Sequence, residues 1–333
     1  MLNMKRREFI ALVGGGGLLL AAKVRRARAQ QPAMPVIGWL SVTRAEGYTD
    51  RVAAFRDGLR DAGFVERQNV IIEYRWADDH GERLPALATD LVQRRVTVLV
   101  TGGGTATALA AKTASDTIPI VFVVAADPVR AGIVASLNRP GGNITGIVGF
   151  TDLLIAKRME LLTQLVPTAS IIGALLDRRN PNAENRSKDL QAAARVLKRE
   201  MRPLWASGPE ELGKLVAGAV EQGVGALVVQ NDPMFNSHRD RIVGLVASHR
   251  LPAIYEARED AMAGGLVTYG PSTPSRYHQA GIYVGRILKG EKPGDLPVMQ
   301  PTKFELIINL KTAKSLGIEI PPTVLALADE VIE

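Results

Sequence analysis

Val96-Thr97-Val98-Leu99-Val100-Thr101-Gly102-Gly103-Gly104-Thr105 runs from an apolar stretch into three glycines and then, from Ala106, into an alanine-rich segment. The apolar part, Val96 to Val100, is short and dominated by valine, which reads as a strand covered on both faces. Three glycines allow a tight turn, and alanine favours helix after it. A second valine- and isoleucine-rich run, Ile118 to Val124, follows the helical segment. Strand, turn, helix and strand in that order form a βαβ unit, the building block of a parallel sheet covered by helices.

The same alternation extends in both directions. Upstream, Val36 to Leu40 reads as a strand ending at Ser41, and Val52, Phe55, Leu59 and Ala62 mark one apolar helix face stopped by Gly63. Val70 to Tyr74 is a further strand, and Leu84, Leu87, Ala88 and Leu91 a further helix face. After residue 170 the series returns: Ile171 to Leu176, a helix carrying Leu190, Ala194 and Leu197, then Pro203 to Ala206. Leu212, Leu215, Val216 and Ala219 mark the next helix, and Ala226 to Val229 and Pro252 to Tyr255 the next strands. Val96–Val100 answers Ala226–Val229, and the strand led by Pro119 answers that led by Pro252. The order of parts repeats although residue identity barely does. Two similar doubly wound α/β lobes account for this, against the alternative of one continuous sheet, which a chain of 333 residues makes the poorer choice. Asn143 to Phe150 and Gly264 to Tyr269 are expected to cross between the lobes.

Ahead of the first strand lie a basic stretch (Lys5, Arg6, Arg7), an apolar run from Phe9 to Ala22, and a tail ending Ala27-Arg28-Ala29. That is the layout of an export signal, and Arg6-Arg7-Glu8-Phe9-Ile10 resembles the twin-arginine kind. A buried or amphipathic N-terminal helix is the alternative. Cleavage near Ala29/Gln30 is expected, with the mature protein in the periplasm and not stably inserted in the membrane. Residues 1–29 hold seven of the 41 Lys and Arg and one of the 34 Asp and Glu, so the remainder carries a net charge of only +1. A nucleic-acid partner needs a basic footprint on the folded domain, which this balance does not supply. The absence of cysteine excludes a disulfide framework and thiolate metal sites.

In open parallel sheets ligands bind beyond the carboxyl ends of the strands. Those ends carry Ser41; the turn Thr101-Gly102-Gly103-Gly104-Thr105; Asp127-Pro128; Asn180-Pro181-Asn182; Asn231-Asp232-Pro233; and Tyr255-Glu256. The glycine turn can offer backbone N–H groups and threonine hydroxyls to a carboxylate. It lacks both the Gly-Lys-Thr/Ser ending of a nucleotide phosphate loop and the Gly-x-Gly-x-x-Gly spacing, which sets ATP and NAD aside. Aspartates can pair with an ammonium, although each Asp or Asn beside proline is, taken singly, more often a helix-capping or turn residue. Trp39 and Trp76 read as core aromatics. With four histidines, no His-Glu-x-x-His and no Gly-x-Ser-x-Gly elbow, neither an enzyme nor a metal or organic cofactor is expected.

Several stretches together resemble one known family. They include Pro35-Val36-Ile37-Gly38, Phe55-Arg56-Asp57-Gly58-Leu59-Arg60, Ile72-Glu73-Tyr74-Arg75-Trp76-Ala77 and Asn138-Arg139-Pro140-Gly141-Gly142-Asn143-Ile144-Thr145-Gly146. Ala263-Gly264-Gly265-Leu266-Val267-Thr268-Tyr269-Gly270 and Pro301-Thr302-Lys303-Phe304-Glu305-Leu306 continue the likeness through the rest of the chain. The family is that of ABC-transporter substrate-binding proteins whose characterised members bind tryptophan or tyrosine. The resemblance implies a periplasmic-binding-protein fold of the first type with a three-crossing hinge. Residues 34–148 with about 271–302 would form one lobe, and 149–270 with about 303–333 the other. It further implies a small-molecule ligand, an amino acid or related carboxylate, handed to an ABC permease in the inner membrane. Ser41, Thr101, Gly102, Gly103, Thr105 and Asp127 would line one side of the cleft, and Asn180, Asn182, Asp232, Tyr255 and Glu256 the other. A periplasmic sensing module and an exported α/β hydrolase are the alternatives.

Overall fold

The first sheet is built on strand β1 (Val36–Ser41), whose alternating side chains are nearly all buried because helices cover both of its faces. In the computed structural model, which describes residues 34–333, β1 lies between β2 (Ile71–Trp76) and β3 (Val98–Gly102), followed outward by β4 (Ile120–Val124) and β5 (Ile144–Val148). All five run parallel, in the order β2-β1-β3-β4-β5. Helices α1 (Thr49–Asp61), α2 (Leu84–Gln93) and α3 (Thr105–Ala114) make the crossovers. The export signal expected over residues 1–29 lies outside the described residues.

The second sheet contains β6 (Ile171–Asp177), β7 (Glu200–Ala206), β8 (Ala226–Val229), β9 (Ala253–Tyr255), β10 (Val267–Pro271), β11 (Phe304–Asn309) and β12 (Glu330–Ile332). Its order is β12-β11-β10-β9-β8-β6-β7, with β10 and β11 antiparallel and the other neighbours parallel. Without the two C-terminal strands, β7-β6-β8-β9-β10 repeats the first sheet's order element for element. Helices α4 (Ile155–Leu165), α5 (Ala183–Val196), α6 (Leu212–Glu221), α7 (Pro233–Ser237), α8 (Arg239–Ser248) and α9 (Arg258–Met262) cover it, joined later by α11 (Leu310–Leu316) and α12 (Pro322–Leu325). Each sheet has apolar clusters on both faces: Trp39, Phe55 and Val100 against Leu40, Leu99 and Phe122 in the first, Ile172, Leu190 and Ile308 against Leu175, Leu227 and Tyr255 in the second. The two-lobed α/β expectation therefore holds. No helix among the described residues is long and apolar enough to cross a membrane.

Two segments read as crossings are instead closing strands. Ile144–Val148 is buried throughout and pairs with β4, and Val267–Pro271 pairs with β9. Gly146 is required in the first of them because the Phe122 carbonyl and ring occupy the space a Cβ would need. The passages between sheets come directly after these strands, at Phe150, which turns with φ +50°, and at Ser272. A third follows Met299, whose backbone bonds Gly146 and Val148 at 2.9 Å each before residues 300–303 lead into β11.

The helix after the second passage, α10 (Thr273–Leu288), returns to the first sheet and packs on α1. The contact is backbone to backbone. A Cβ on Gly58 would collide with the His278 carbonyl, and one on Gly281 with the Phe55 carbonyl, so neither position admits a side chain without parting the helices.

Candidate ligand-binding cleft

The carboxyl ends of the two sheets face each other across a cleft, and side chains from both sides meet in it. Asn182 Nδ2, at the start of α5, donates to Thr105 Oγ1, at the start of α3, at 2.8 Å. Arg179 Nη1 donates to the Asp79 carbonyl at 2.9 Å, Arg130 approaches Asp189 at 3.5 Å, and His238 Nε2 lies 3.6 Å from Asp79 Oδ2. The lobes are thus closed on each other.

Two chambers lie between them. The larger, about 320 Å³, has Val42, Ala106, Pro181 and Met234 as apolar walls and Asp79, Asp177, Arg179 and Asp232 as polar ones. The smaller, about 30 Å³, is bounded by Arg51, Arg276, Tyr48, Tyr277 and Asn236. Thr105, Asn180 and Pro233 line both and form the neck. The turn into α3 reaches the neck only because it is glycine. A Cβ on Gly103 would stand 2.8 Å from the Val42 nitrogen and from Thr107 Oγ1, and Gly104 has φ +81°.

The small chamber holds two buried cations with neutral partners. Arg51 donates to the Gly47 carbonyl at 3.2 Å and sits 4.5 Å over the Tyr48 ring. Arg276 donates to Thr273 Oγ1 at 3.3 Å, and its Nε has no partner. Among the described residues no carboxylate lies within ion-pair distance of either, and burial pulls the Arg276 guanidinium below its usual range; at Arg51 burial acts the same way but is outweighed by Tyr48, Tyr277 and the more distant Glu259 and Asp260, which leave its guanidinium above its usual range. The neighbouring arginines do have carboxylate partners. Arg186 is held by Asp152 and the Asn231 carbonyl at 2.7 Å each, and Arg158 by Glu256 at 2.8 Å. A buried charge without a counter-charge is costly, and an anion entering the chamber removes that cost.

Asp232 stands on the opposite side of the neck. Its Oδ1 caps α7 by accepting from Met234 N at 3.0 Å, and its Oδ2 accepts from Asn180 Nδ2 at 2.6 Å. Burial, and next the nearby Asp177 charge, push its carboxyl up to about 7. Raised in this way, the group contributes stability that is complete below the ordinary carboxylate range and is lost as pH climbs through about 7. A cationic ligand nitrogen beside it favours the ionised form. We therefore expect affinity for such a ligand to rise between pH 6 and pH 8 with proton release, measurable by calorimetry in buffers of different ionisation enthalpy. A pH-independent affinity would place the cation elsewhere.

Of the residues expected at the site, Gly103, Thr105, Asn180 and Asp232 line the chambers, and Asn182 ties the lobes through Thr105. The others are placed differently. Ser41 is fully buried, donating to the Gly102 carbonyl at 2.7 Å and sharing a hydrogen bond with Thr43. Thr101 and Gly102 are the last residues of β3 rather than part of the turn, with Gly102 against the Trp39 ring. Asp127 turns back to accept from Val129 N and Arg130 N. Tyr255 packs in the core of the second sheet, and Glu256 is bound to Arg158 and to Asn231 N. Trp39 and Trp76 belong to an aromatic cluster with Phe55, Tyr74 and Tyr277.

Arg51, Arg276, Tyr48, Tyr277, Asp79, Asp177 and Arg179 are additions from the structure. A signal for the first two was present in the sequence. Arg51 is four residues before Phe55, and Arg276 four before Ala280, so each cation lies on the buried stripe of its helix.

A model of the family described as ABC transporter substrate binding protein matches residues 39–332. A tyrosine-binding protein of Clostridioides difficile is 27% identical over 265 residues, which are 80% of this chain and 76% of that one. A conserved domain protein from Vibrio cholerae superposes with a TM-score of 0.82 at 25% identity, covering 90% of this chain and 99% of its own. An ABC domain from Streptococcus pneumoniae in complex with L-Trp gives a TM-score of 0.79 at 25% identity, covering 89% and 100%. With the matched residues spanning both sheets and all three passages between them, the chain belongs to the ABC transporter substrate-binding protein family.

Proposed function

We propose that this protein captures a small amino acid or related carboxylate in the periplasm and presents it to the permease of an ABC importer. The observation that carries the reading is the pair Arg51 and Arg276, two buried cations that face the cleft and, among the described residues, have no carboxylate within ion-pair distance. The ligand's carboxylate supplies it, and a cationic nitrogen of the ligand meets Asp232 across the neck. Amino acids are the ligands named for the Clostridioides and Streptococcus relatives, which supports the same class here. Residues 34–148 with about 271–302 would move as one body against 149–270 with about 303–333. The open form dominates without ligand, and a ligand that touches both lobes favours closure by its differential affinity. Export through the twin-arginine route, with cleavage near Ala29/Gln30, would bring the protein to its place of work. The relatives lend nothing to the sensing or hydrolase alternatives.

A thermal-shift screen of the exported protein against amino acids, aromatic acids and small carboxylates tests the reading. A ligand at 100 times its dissociation constant adds about 2.7 kcal/mol to stability, so amino carboxylates should raise the melting temperature by several degrees. Stabilisation by uncharged sugars alone, or by no carboxylate, would defeat it.

A further inference from the structure

With a carboxylate on Arg51 and Arg276, the rest of a ligand extends through the neck into the larger chamber, whose walls are acidic and not aromatic. Asp79, Glu82, Asp177 and Asp232 line it against a single lining cation, Arg179, and no aromatic side chain is among its lining residues. Arg179 is already engaged: its Nε and Nη2 hold Asp177 at 3.1 Å each, and its Nη1 the Asp79 carbonyl. Asp79 is ion-paired on its outer side with Arg44. Its side chain is 8% exposed, Oδ2 makes no hydrogen bond, and its nearest cations are the half-exposed Arg44 at 3.2 Å and His238 at 3.6 Å. Asp79 also holds the left-handed conformation, φ +67°, which aspartate and asparagine adopt more readily than other side chains. Asp232 has no cation within ion-pair distance among the described residues.

We propose that the ligand is a basic amino acid, its α-ammonium at Asp232 and its side-chain ammonium or guanidinium in the chamber beside Asp79 and Asp177. This rests on the reading of the cleft as an amino-carboxylate site and goes further by naming the side chain. A neutral ring in the same chamber would take water from the Asp79 and Asp232 carboxylates without giving either a donor, leaving Asp79 only its half-exposed pair with Arg44, and a site whose polar groups lose water without gaining a partner rejects such a ligand. The chamber that selects for a cation thus selects against the aromatic amino acids.

Calorimetry with L-arginine, L-citrulline, L-lysine and L-tryptophan tests this. Citrulline has nearly the shape of arginine without its charge. One charged hydrogen bond is worth about 1.5–3 kcal/mol, so arginine should bind at least about tenfold more tightly than citrulline, with tryptophan weaker still. Asp79→Asn should shrink the arginine-to-citrulline ratio by about tenfold; asparagine is at ease in the left-handed region. Should that variant fail to fold, the ratio measured on the unaltered protein decides alone. Citrulline or tryptophan binding as tightly as arginine would overturn the basic side chain while leaving the amino-carboxylate reading intact. Binding of none of the four would also overturn the basic side chain, and the thermal-shift screen would then decide the amino-carboxylate reading by itself.

Discussion

Replacing Arg276 with methionine should weaken ligand binding by about 1.5–3 kcal/mol, the worth of a charged hydrogen bond, while leaving the ligand-free protein as stable as before or more so. The two effects come from one fact. Arg276 is buried with only Thr273 Oγ1 to bond among the described residues, and burial already lowers its affinity for its proton. Its charge is a cost until an anion arrives. A methionine of similar length keeps the packing along α10 and removes the charge, a kind of exchange that is often neutral or stabilising in protein interiors. Thermal or urea unfolding without ligand, paired with calorimetry, reads both signs. A variant less stable than the parent by more than about 2 kcal/mol would mean that Arg276 is a structural group with a partner in the unliganded protein.

Glu256→Gln should act in the opposite sense, costing about 3–5 kcal/mol of stability. Its carboxylate is the counter-charge of Arg158, which is wholly buried, and it also accepts from the Asn231 backbone that leads into Asp232. Removing one member of a buried pair strands the other. With total stabilities of about 5–15 kcal/mol in proteins generally, about a fifth or more of the reserve would go. Loss of binding should follow only as a consequence of a loosened Asn231–Asp232 turn. Urea unfolding of the ligand-free variant measures this, and the double variant Arg158→Met/Glu256→Leu should recover most of the loss. Unchanged stability with abolished binding would instead make Glu256 a ligand contact.

Glu256 also illustrates what sequence reading can and cannot reach. The strands were legible because runs such as Val98–Val100 and Ile120–Val124 are buried on both faces and therefore apolar throughout, a pattern that needs no knowledge of neighbours. Their repetition made two lobes legible too. Strand-end position then named ten polar or glycine candidates and Tyr255, but position does not say whether a polar group points across the cleft or is consumed at home. Ser41, Asp127 and Glu256 each found a local partner. Gly103, Thr105, Asn180 and Asp232 reached the chambers because the turn and the two loops carrying them project beyond the sheet edge. Arg51 and Arg276 were legible only as an anomaly, cations on otherwise apolar helix stripes. The anomaly becomes a pair only after α10, more than 200 residues later, is laid on α1.

That packing also governs how the molecule can be made. The first sheet is complete by Val148, yet the face of α1 bearing Phe55 and Leu59 stays uncovered until residues 273–288 return to it. A ribosome must therefore finish five strands of the second lobe before the first can close. Contacts so distant along the chain slow folding and hold an apolar surface open meanwhile. The two halves, alike in plan, cannot mature as independent beads. A fragment ending near residue 150 should be aggregation-prone, and the whole chain should acquire its native shape as a single late event after synthesis.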